Sequence, residues 1–459
     1  MSQSAADLLS SLGAQVKWEP DQRETQTPDL LEAARSGLMH LTGIPEQAPL
    51  APPDSLLAQA KGALLALQTL CPDSPLDGLD ASELLVERAA IFGLTRAGQE
   101  SPGGSCRLLK AGDDQWIALN LAREEDLDLL PAWLGEGPVN DPWKFVAERI
   151  ADRRAEEVVD RARLCGLPAC VAAAPPTQDT PWFIGEASGE QLQSEQGAAN
   201  QVAPLIIDLS SLWAGPLCTH LLSLTGARVI KVESLHRPDG ARRGPAEFYD
   251  LLNVGKESVA LDLHTPGGCS TLRELIGRAD MVVESARPRA LRQLGICAEQ
   301  LIGEQAGLTW VSITGYGRTE PAANWVAFGD DAAIAAGLGL ATLGTGEPPI
   351  FCGDAIADPL TGLHAALAAL AFHRGGQSSL LDLSLKNVTA HTLFEGERAA
   401  EHRGDIRHGE VLKNRGHWEV HWGSQSARVL PPGARKPQGK ARALGADTEA
   451  VFEEFDISC

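Results

Sequence analysis

Positive charge is scarce in this chain: 39 Lys+Arg stand against 61 Asp+Glu, a formal net charge of −22. Such a surface repels phosphate backbones and anionic lipid, which excludes general nucleic-acid binding and attachment to a charged membrane. No apolar run approaches the ~18 residues of a membrane-spanning helix. Met1–Leu12 also lacks the cationic stretch and apolar core of a secretory signal. The nine cysteines show no CxxC spacing, which fits free thiols in a reducing compartment better than disulfides or a zinc site. A cytoplasmic protein is expected.

Nucleotide and hydrolase motifs are missing as well. No GxGxxG follows a strand, GxxxxGK[ST] is absent, and so is GxSxG, leaving no sign of NAD, NTP or α/β-hydrolase chemistry. The glycines of Gly337–Gly346 follow a helical Ala run rather than a strand. His402, His408, His417 and His421 share one polar segment, but no Cys or carboxylate set accompanies them, and no metal is expected.

What is present is ordinary globular composition, 44% apolar and 22% charged, in a length of 459 residues that suggests two to four units. The charge is uneven. Residues 1–200 hold 15 basic and 31 acidic side chains, whereas residues 226–295 hold 11 and 9, a locally basic segment where an anionic ligand could sit.

The second half alternates strand and helix patterns. PLIIDL (Pro204–Leu209), ARVIKVE (Ala227–Glu233), SVALDL (Ser258–Leu263), MVVES (Met281–Ser285), LTWVSIT (Leu308–Thr314) and SLLDLSL (Ser379–Leu385) read as buried strands, with helical stretches between most of them. This predicts an open, mostly parallel α/β sheet. The first half contains the strand QWIALNL (Gln115–Leu121), an acidic helix start at Glu124–Leu130 and one amphipathic helix across Trp143–Cys165. An internal repeat links the halves. Leu8–Val16 matches Leu221–Val229, Ala34–Gly43 resembles Ala335–Gly344, and Asp54–Leu67 resembles Asp358–Leu370, in the same order. The first copy lacks the middle of the unit.

Six segments of the second half follow one another at natural distances. They are AGPLCTHLLSLTGARVIKVE, NVGKESVALDLHTPGG, ADMVVESARPRALRQLGI, VSITGYGRT, GEPPIFCGDAIADPLTGLHAALAAL and GGQSSLLDLSL. Taken in order, they resemble the family III coenzyme A transferases, the group containing formyl-CoA transferase and carnitine CoA-transferase. The resemblance covers about 190 residues, and LGADTEAVFEEF (Leu444–Phe455) is similar to the family's C-terminal end. It implies an open, mostly parallel Rossmann-like sheet as large domain plus a smaller α+β domain. The division expected is a truncated copy of the large-domain unit at 1–70, the small domain at 71–175, a linker at 176–200 and the large domain at 201–394. A polar linker at 395–425 and a tail at 426–459 returning to the large domain complete it.

The resemblance further implies transfer of CoA between an acyl-CoA and a carboxylic acid through covalent aspartyl intermediates, with coenzyme A as substrate and no permanently bound cofactor. The matching nucleophile is Asp358, whose place before an Ala-rich helix predicts an anion stabilised by free backbone N–H groups and kept ionised at neutral pH. The implied CoA contacts are Trp213, Ala214, Leu261 to His264, Ser285, Ala286, Arg287 and Gln293. Arg242, Arg243, Lys256, Arg289 and Arg292 are available, with Arg287, as phosphate-facing cations. Ser234, Gln293 and the pair Ser285-Ala286 depart from the family pattern. Asp54, the first-copy counterpart of Asp358, is expected to be structural.

Two other functions remain open from sequence. An α-methylacyl-CoA racemase needs a His/Asp pair of bases, and Asp330 stands where the histidine belongs. A degenerate CoA-binding protein without turnover fits the truncated copy. Relatives form interlocked dimers, so a homodimer or a single-chain pseudo-dimer is implied.

Overall fold

The computed structural model describes residues 3–13, 29–137, 139–188, 203–342, 347–403 and 409–457. The Gln-rich part of the expected 176–200 linker, residues 343–346 of the glycine-rich run, His408 and the side chain of His402 lie outside these residues.

The chain opens with helices α1 (Gln3–Ser11), α2 (Asp29–Arg35), α3 (Asp54–Leu70), α4 (Ala81–Leu84) and α5 (Glu87–Phe92). A small unit follows: strands β1 (Cys106–Lys110) and β2 (Trp116–Asn120), helices α6 (Glu124–Leu134), α7 (Pro142–Ile150) and α8 (Ala155–Leu164), and strand β3 (Ala169–Val171). The three strands form an antiparallel sheet in the order β1-β2-β3. It packs on α6 to α8 through Ile117, Leu119, Trp133, Val146 and Val158. The single helix expected across Trp143–Cys165 is instead two, because the chain turns at 151–154 to let Gly112 N–H reach the Arg153 carbonyl at 2.8 Å.

The large sheet is built from β4 (Ile184–Ser188), β5 (Leu205–Leu209), β6 (Arg228–Ser234), β7 (Glu257–Leu261), β8 (Met281–Glu284), β9 (Thr309–Thr314) and β10 (Ser378–Ser384). Its order is β4-β10-β9-β8-β5-β6-β7, with β5 to β10 parallel and β4 antiparallel at one edge. Residues read as linker therefore supply that edge strand, and Trp182 just before it is buried.

The helices between the strands are α9 (Ala214–Leu224), α10 (Ala246–Asn253), α11 (Pro266–Ile276), α12 (Pro288–Gln293), α13 (Ala298–Glu304), α14 (Gly329–Ala335), α15 (Leu338–Ala341) and α16 (Ala357–Gly375). Strand side chains alternate between two cores, as the pleat requires. Ile206, Val283, Val311 and Leu381 face α9 and α16, whereas Ile207, Val282, Trp310 and Leu380 join the layer of α11 and α13.

Helix α17 (Leu385–Arg403) follows β10, and β11 (Gly409–Asn414), β12 (His417–Trp422) and β13 (Gln425–Arg428) form a second antiparallel sheet. The stretch expected as a polar linker at 395–425 is thus the end of a helix and most of a sheet, which packs on α2. Helix α18 (Thr448–Phe455) returns to β7, where Ala260 N–H donates to Thr448 Oγ1 at 3.1 Å.

Helix α1 lies on α3, α9 lies on α16, and α3 and α16 pack on each other. Small residues permit the close approaches: a Cβ on Gly62 would overlap Ser4, and one on Gly362 would come within 2.7 Å of the Ala214 carbonyl. All eight described cysteines are free thiols. Among the described residues, no helix is long and apolar enough to cross a membrane.

Candidate active site

In an open parallel sheet, ligands bind at the carboxyl ends of the strands where the strand order reverses. Here that point lies between β5 and β8: β6 and β7 continue to one side of β5, and β8 and β9 to the other. The loops leaving the two strands are tied together by Ser211 N–H, which donates to Ser285 Oγ at 3.0 Å. Leu212, next in the chain, is held at φ +69 by its N–H bond to Asp239 Oδ1 at 3.0 Å, a left-handed conformation rarely adopted by a branched residue. At the end of β8 the Arg287 guanidinium has its pKa lowered, first by burial and then by the charges of Arg123, Arg237 and Arg289. Four arginines from both parts of the chain therefore focus positive potential at this crevice, and they match an oligophosphate.

A second centre forms where α16 begins. Asp358 lies in its first helical turn and accepts from the Gly329 N–H at the start of α14. A Cβ on Gly329 would overlap both the Ala355 carbonyl and Asp358 Oδ2, so only glycine lets the two helix starts meet. Ala355 itself adopts φ +43 and is held from both sides: its N–H donates to Asp330 Oδ1 at 2.8 Å, and its carbonyl accepts from Asp358 N–H at 2.9 Å. A left-handed Ala costs about 1–2 kcal/mol, and here that strain aims the Asp358 carboxyl at Gly329. Arg88, on α5, donates from Nη1 to both oxygens of Asp354, at 2.7 and 2.6 Å, and its charge also acts on Asp330 and Asp358.

Burial dominates the electrostatics of this cluster. It pushes Asp358 up to about 7, with the negative charges of Asp330 and Asp354 adding to it while Arg88 and the Gly329 N–H oppose it. Asp330 rises to about 7 for the same reason, assisted by Asp354. The sequence-based expectation of a nucleophile firmly ionised at neutral pH is therefore corrected. The helix start contributes a hydrogen bond, but desolvation beside two further carboxylates outweighs it.

Comparison with known proteins shows what this part of the chain is similar to. Residues 204–419 match the sequence profile of CoA-transferase family III. Through these residues the chain is similar to that family. It is 33% identical over 191 residues to the succinyl-CoA:D-citramalate CoA-transferase of Chloroflexus aurantiacus, which covers 39% of this chain and 48% of that protein. It is 34% identical over 208 residues to the succinate:glutarate CoA-transferase of Agrobacterium fabrum, covering 41% and 51%. The chain spans about half the length of these relatives. A CaiB/BaiF family protein from Brucella suis aligns structurally over 48% of this chain and 65% of its own, with 26% identity and a TM-score of 0.41.

In the structure, the residues singled out from sequence separate into two groups. Trp213 and Ala214 open α9 beside the crevice, both buried, and the Trp213 indole Nε1 lacks a hydrogen-bond partner among the described residues. Leu261 ends β7, and its carbonyl accepts from Leu235 N–H at 2.9 Å. His264 is exposed and stacks on His236, with ring centroids 4.5 Å apart and planes 9° from parallel. Ala286, Arg287 and Gln293 line the loop and short helix after β8, the last two exposed.

The other group is already engaged inside the protein. Lys256 is corrected as a phosphate ligand: its Nζ is buried and bonds Asp208 Oδ2 at 3.1 Å, Thr219 Oγ1 at 2.7 Å and Asn253 Oδ1 at 3.0 Å. Arg242 forks onto Glu233, with Nε 2.9 Å from Oε1, and Arg292 pairs with Glu299 at 2.8 Å. Asp54 is exposed at the start of α3.

Sequence reasoning missed Arg88, Asp354, Asp331, Arg123 and Arg237. Asp331 caps α14 by accepting from Phe328 N–H at 2.9 Å, and Asn120 Nδ2 of the small unit reaches it at 3.4 Å. Asp354 stands in the same motif as Asp358 and was within reach of sequence reasoning; Arg88 is 266 residues away from its partner and carried no signal.

Proposed function

We propose that the protein transfers CoA between an acyl-CoA and a carboxylic acid, with Asp358 as nucleophile. The observation that carries this is the Asp358 carboxyl, at the start of α16, seated against the Gly329 N–H at the start of α14, inside the segment that matches the family. As a carboxylate, Asp358 attacks the thioester carbonyl and expels CoA thiolate, leaving a mixed anhydride. The thiolate attacks the aspartyl carbonyl of that anhydride, releasing the donor acid and forming an aspartyl-CoA thioester. The acceptor carboxylate then displaces the thiolate, which attacks the acceptor's acyl carbonyl to give the new acyl-CoA and free Asp358. No net proton is gained or lost, and one difficult exchange becomes several easier ones.

CoA is a substrate here, its phosphates meeting Arg287, Arg289, Arg237 and Arg123, and its chain passing Trp213, Ala214 and the Ser285–Arg287 loop. The two relatives named above act on dicarboxylic acids, so succinate, glutarate and related diacids are the first acceptors to test. The domain division at 1–70, 71–175 and 201–394, with a truncated first copy, belongs to the same proposal; the matching α1/α3 and α9/α16 pairs support a single-chain pseudo-dimer. A cytoplasmic location accompanies the free thiols.

The test uses the purified full chain with a panel of acyl-CoAs and isotopically labelled acids. Labelled acyl-CoA is expected to form, and Asp358→Ala is expected to lower its rate at least about a thousandfold. Exchange of the α-hydrogen of a branched acyl-CoA in deuterated water, without transfer, would instead assign the racemase chemistry. Saturable CoA binding without either reaction would assign a non-catalytic role.

A further inference from the structure

Apart from the CoA crevice, a polar cavity of about 290 Å³ lies where α1, α3 and α17 meet. It is lined by Asp7 and Ser11 of α1, Gln59 of α3, Asp179 from the segment before β4, and His391 and Glu395 of α17. His391 and Glu395 are four residues apart, so both project from one face of the helix. Asp179 Oδ1 lies 3.4 Å from His391 Nδ1. The ligating atoms of Asp179, His391 and Glu395 are all within 4.8 Å of one another. A cation between them would reach bonds of about 2.0–2.2 Å with side-chain shifts under about 1 Å.

A separate observation points the same way. Gln59 is 5% exposed, lines this cavity, and its Oε1 has no hydrogen-bond partner among the described residues. A buried amide oxygen without a donor is costly, and a cation in the cavity satisfies it. The donors are one imidazole nitrogen with carboxylate and amide oxygens, a set that suits Zn²⁺ and other first-row divalent ions and not Mg²⁺, which prefers oxygen alone.

We propose that this cavity is a divalent-metal site that takes Zn²⁺ through Asp179, His391 and Glu395, with the Gln59 amide oxygen facing the ion. The ion would fasten α17 to the segment before β4, with α3 facing it through Gln59. Asp179 lies 212 residues from His391 in sequence, which is why no local spacing motif announces the full set. The exposed group His236, Asp262 and His264 is the competing location, and it belongs to the CoA crevice.

The experiment is equilibrium dialysis of chelator-stripped, untagged full-length protein against Zn²⁺, read by elemental analysis and by thermal melting. Wild type is expected to retain one equivalent that Glu395→Gln, Asp179→Asn and His391→Ala each weaken at least tenfold, and to gain a Zn²⁺-dependent rise in melting temperature that Mg²⁺ does not reproduce. Asp179→Asn alters a side chain that is 66% exposed and so tests the site without disturbing the core. Absence of saturable Zn²⁺ binding would overturn the proposal, as would binding that survives all three substitutions and is removed by His236→Ala. Neither result bears on CoA transfer, which is measured separately.

Discussion

Arg88 donates from Nη1 to both carboxylate oxygens of Asp354, at 2.7 and 2.6 Å, and so brings a cation from the first half of the chain into the acid cluster of the second. The same guanidinium lowers the pKa of Asp330 and Asp358. Arg88→Gln is therefore expected to raise the Asp358 pKa, shift the acid limb of the pH–rate profile upward and slow transfer at pH 7 by tenfold or more. Breaking a buried pair costs about 3–5 kcal/mol. Because the Arg88 side chain keeps 26% exposure, a loss near the low end, about 3 kcal/mol, is expected in urea unfolding at neutral pH.

Asp358, Asp330 and Asp331 each titrate near 7 in the folded protein, against about 4 for unfolded carboxyls. Between those limits the folded state holds more protons, so the stability these groups contribute is full below pH 4 and is lost as pH rises through 7. The proposed attack needs the Asp358 carboxylate, so activity is expected to have the opposite slope and to rise through about pH 7. Unfolding and transfer rate, each measured from pH 5 to 9, should diverge in this way.

Asp330→Asn removes a neighbouring negative charge while keeping an oxygen for the Ala355 N–H. The half-point of the pH–rate profile is expected to fall, and stability at pH 8 to rise on the order of 1 kcal/mol. An unchanged half-point would show that Asp330 does not act on Asp358.

Gly329→Ala places a methyl group against the Ala355 carbonyl and Asp358 Oδ2, both at the junction of two helix starts. Backbone cannot yield as a flexible side chain can, so transfer is expected to fall at least a hundredfold. Unchanged CoA binding in a dialysis assay would localise the damage to Asp358.

Lys256 and Arg287, both expected from sequence to meet phosphate, should part company. Lys256→Ala strips Asp208 of its buried partner and is expected to cost about 3–5 kcal/mol of stability. Arg287→Ala should leave the melting temperature unchanged and raise KM for the CoA ester about tenfold, the loss of one charge-assisted contact.

The contrast shows what sequence could convey. Runs such as LIIDL and MVVE announced the parallel strands because burial on both faces demands continuous β-branched residues, and Asp358 was legible from the motif around it. The sheet of Gly409 to Arg428 was hidden because its exposed strands carry His, Glu, Lys and Arg like a linker. Lys256 and Arg287 look alike in a charge count; only the fold turns one toward Asp208 and the other toward the crevice. Arg88 and Arg123 enter their sites across long sequence separations that no local pattern records. The pKa of Asp358 depends on Asp330 and Asp354 being buried with it, which is likewise a property of the packed structure.

The most direct test of covalent transfer is to incubate the full chain with an acyl-CoA substrate, quench with hydroxylamine and map the adduct by mass spectrometry. A hydroxamate on the peptide containing Asp358, absent from Asp358→Asn, is the result expected. Wild-type rates of transfer in Asp358→Asn, with no adduct at Asp358 in the parent protein, would contradict the account.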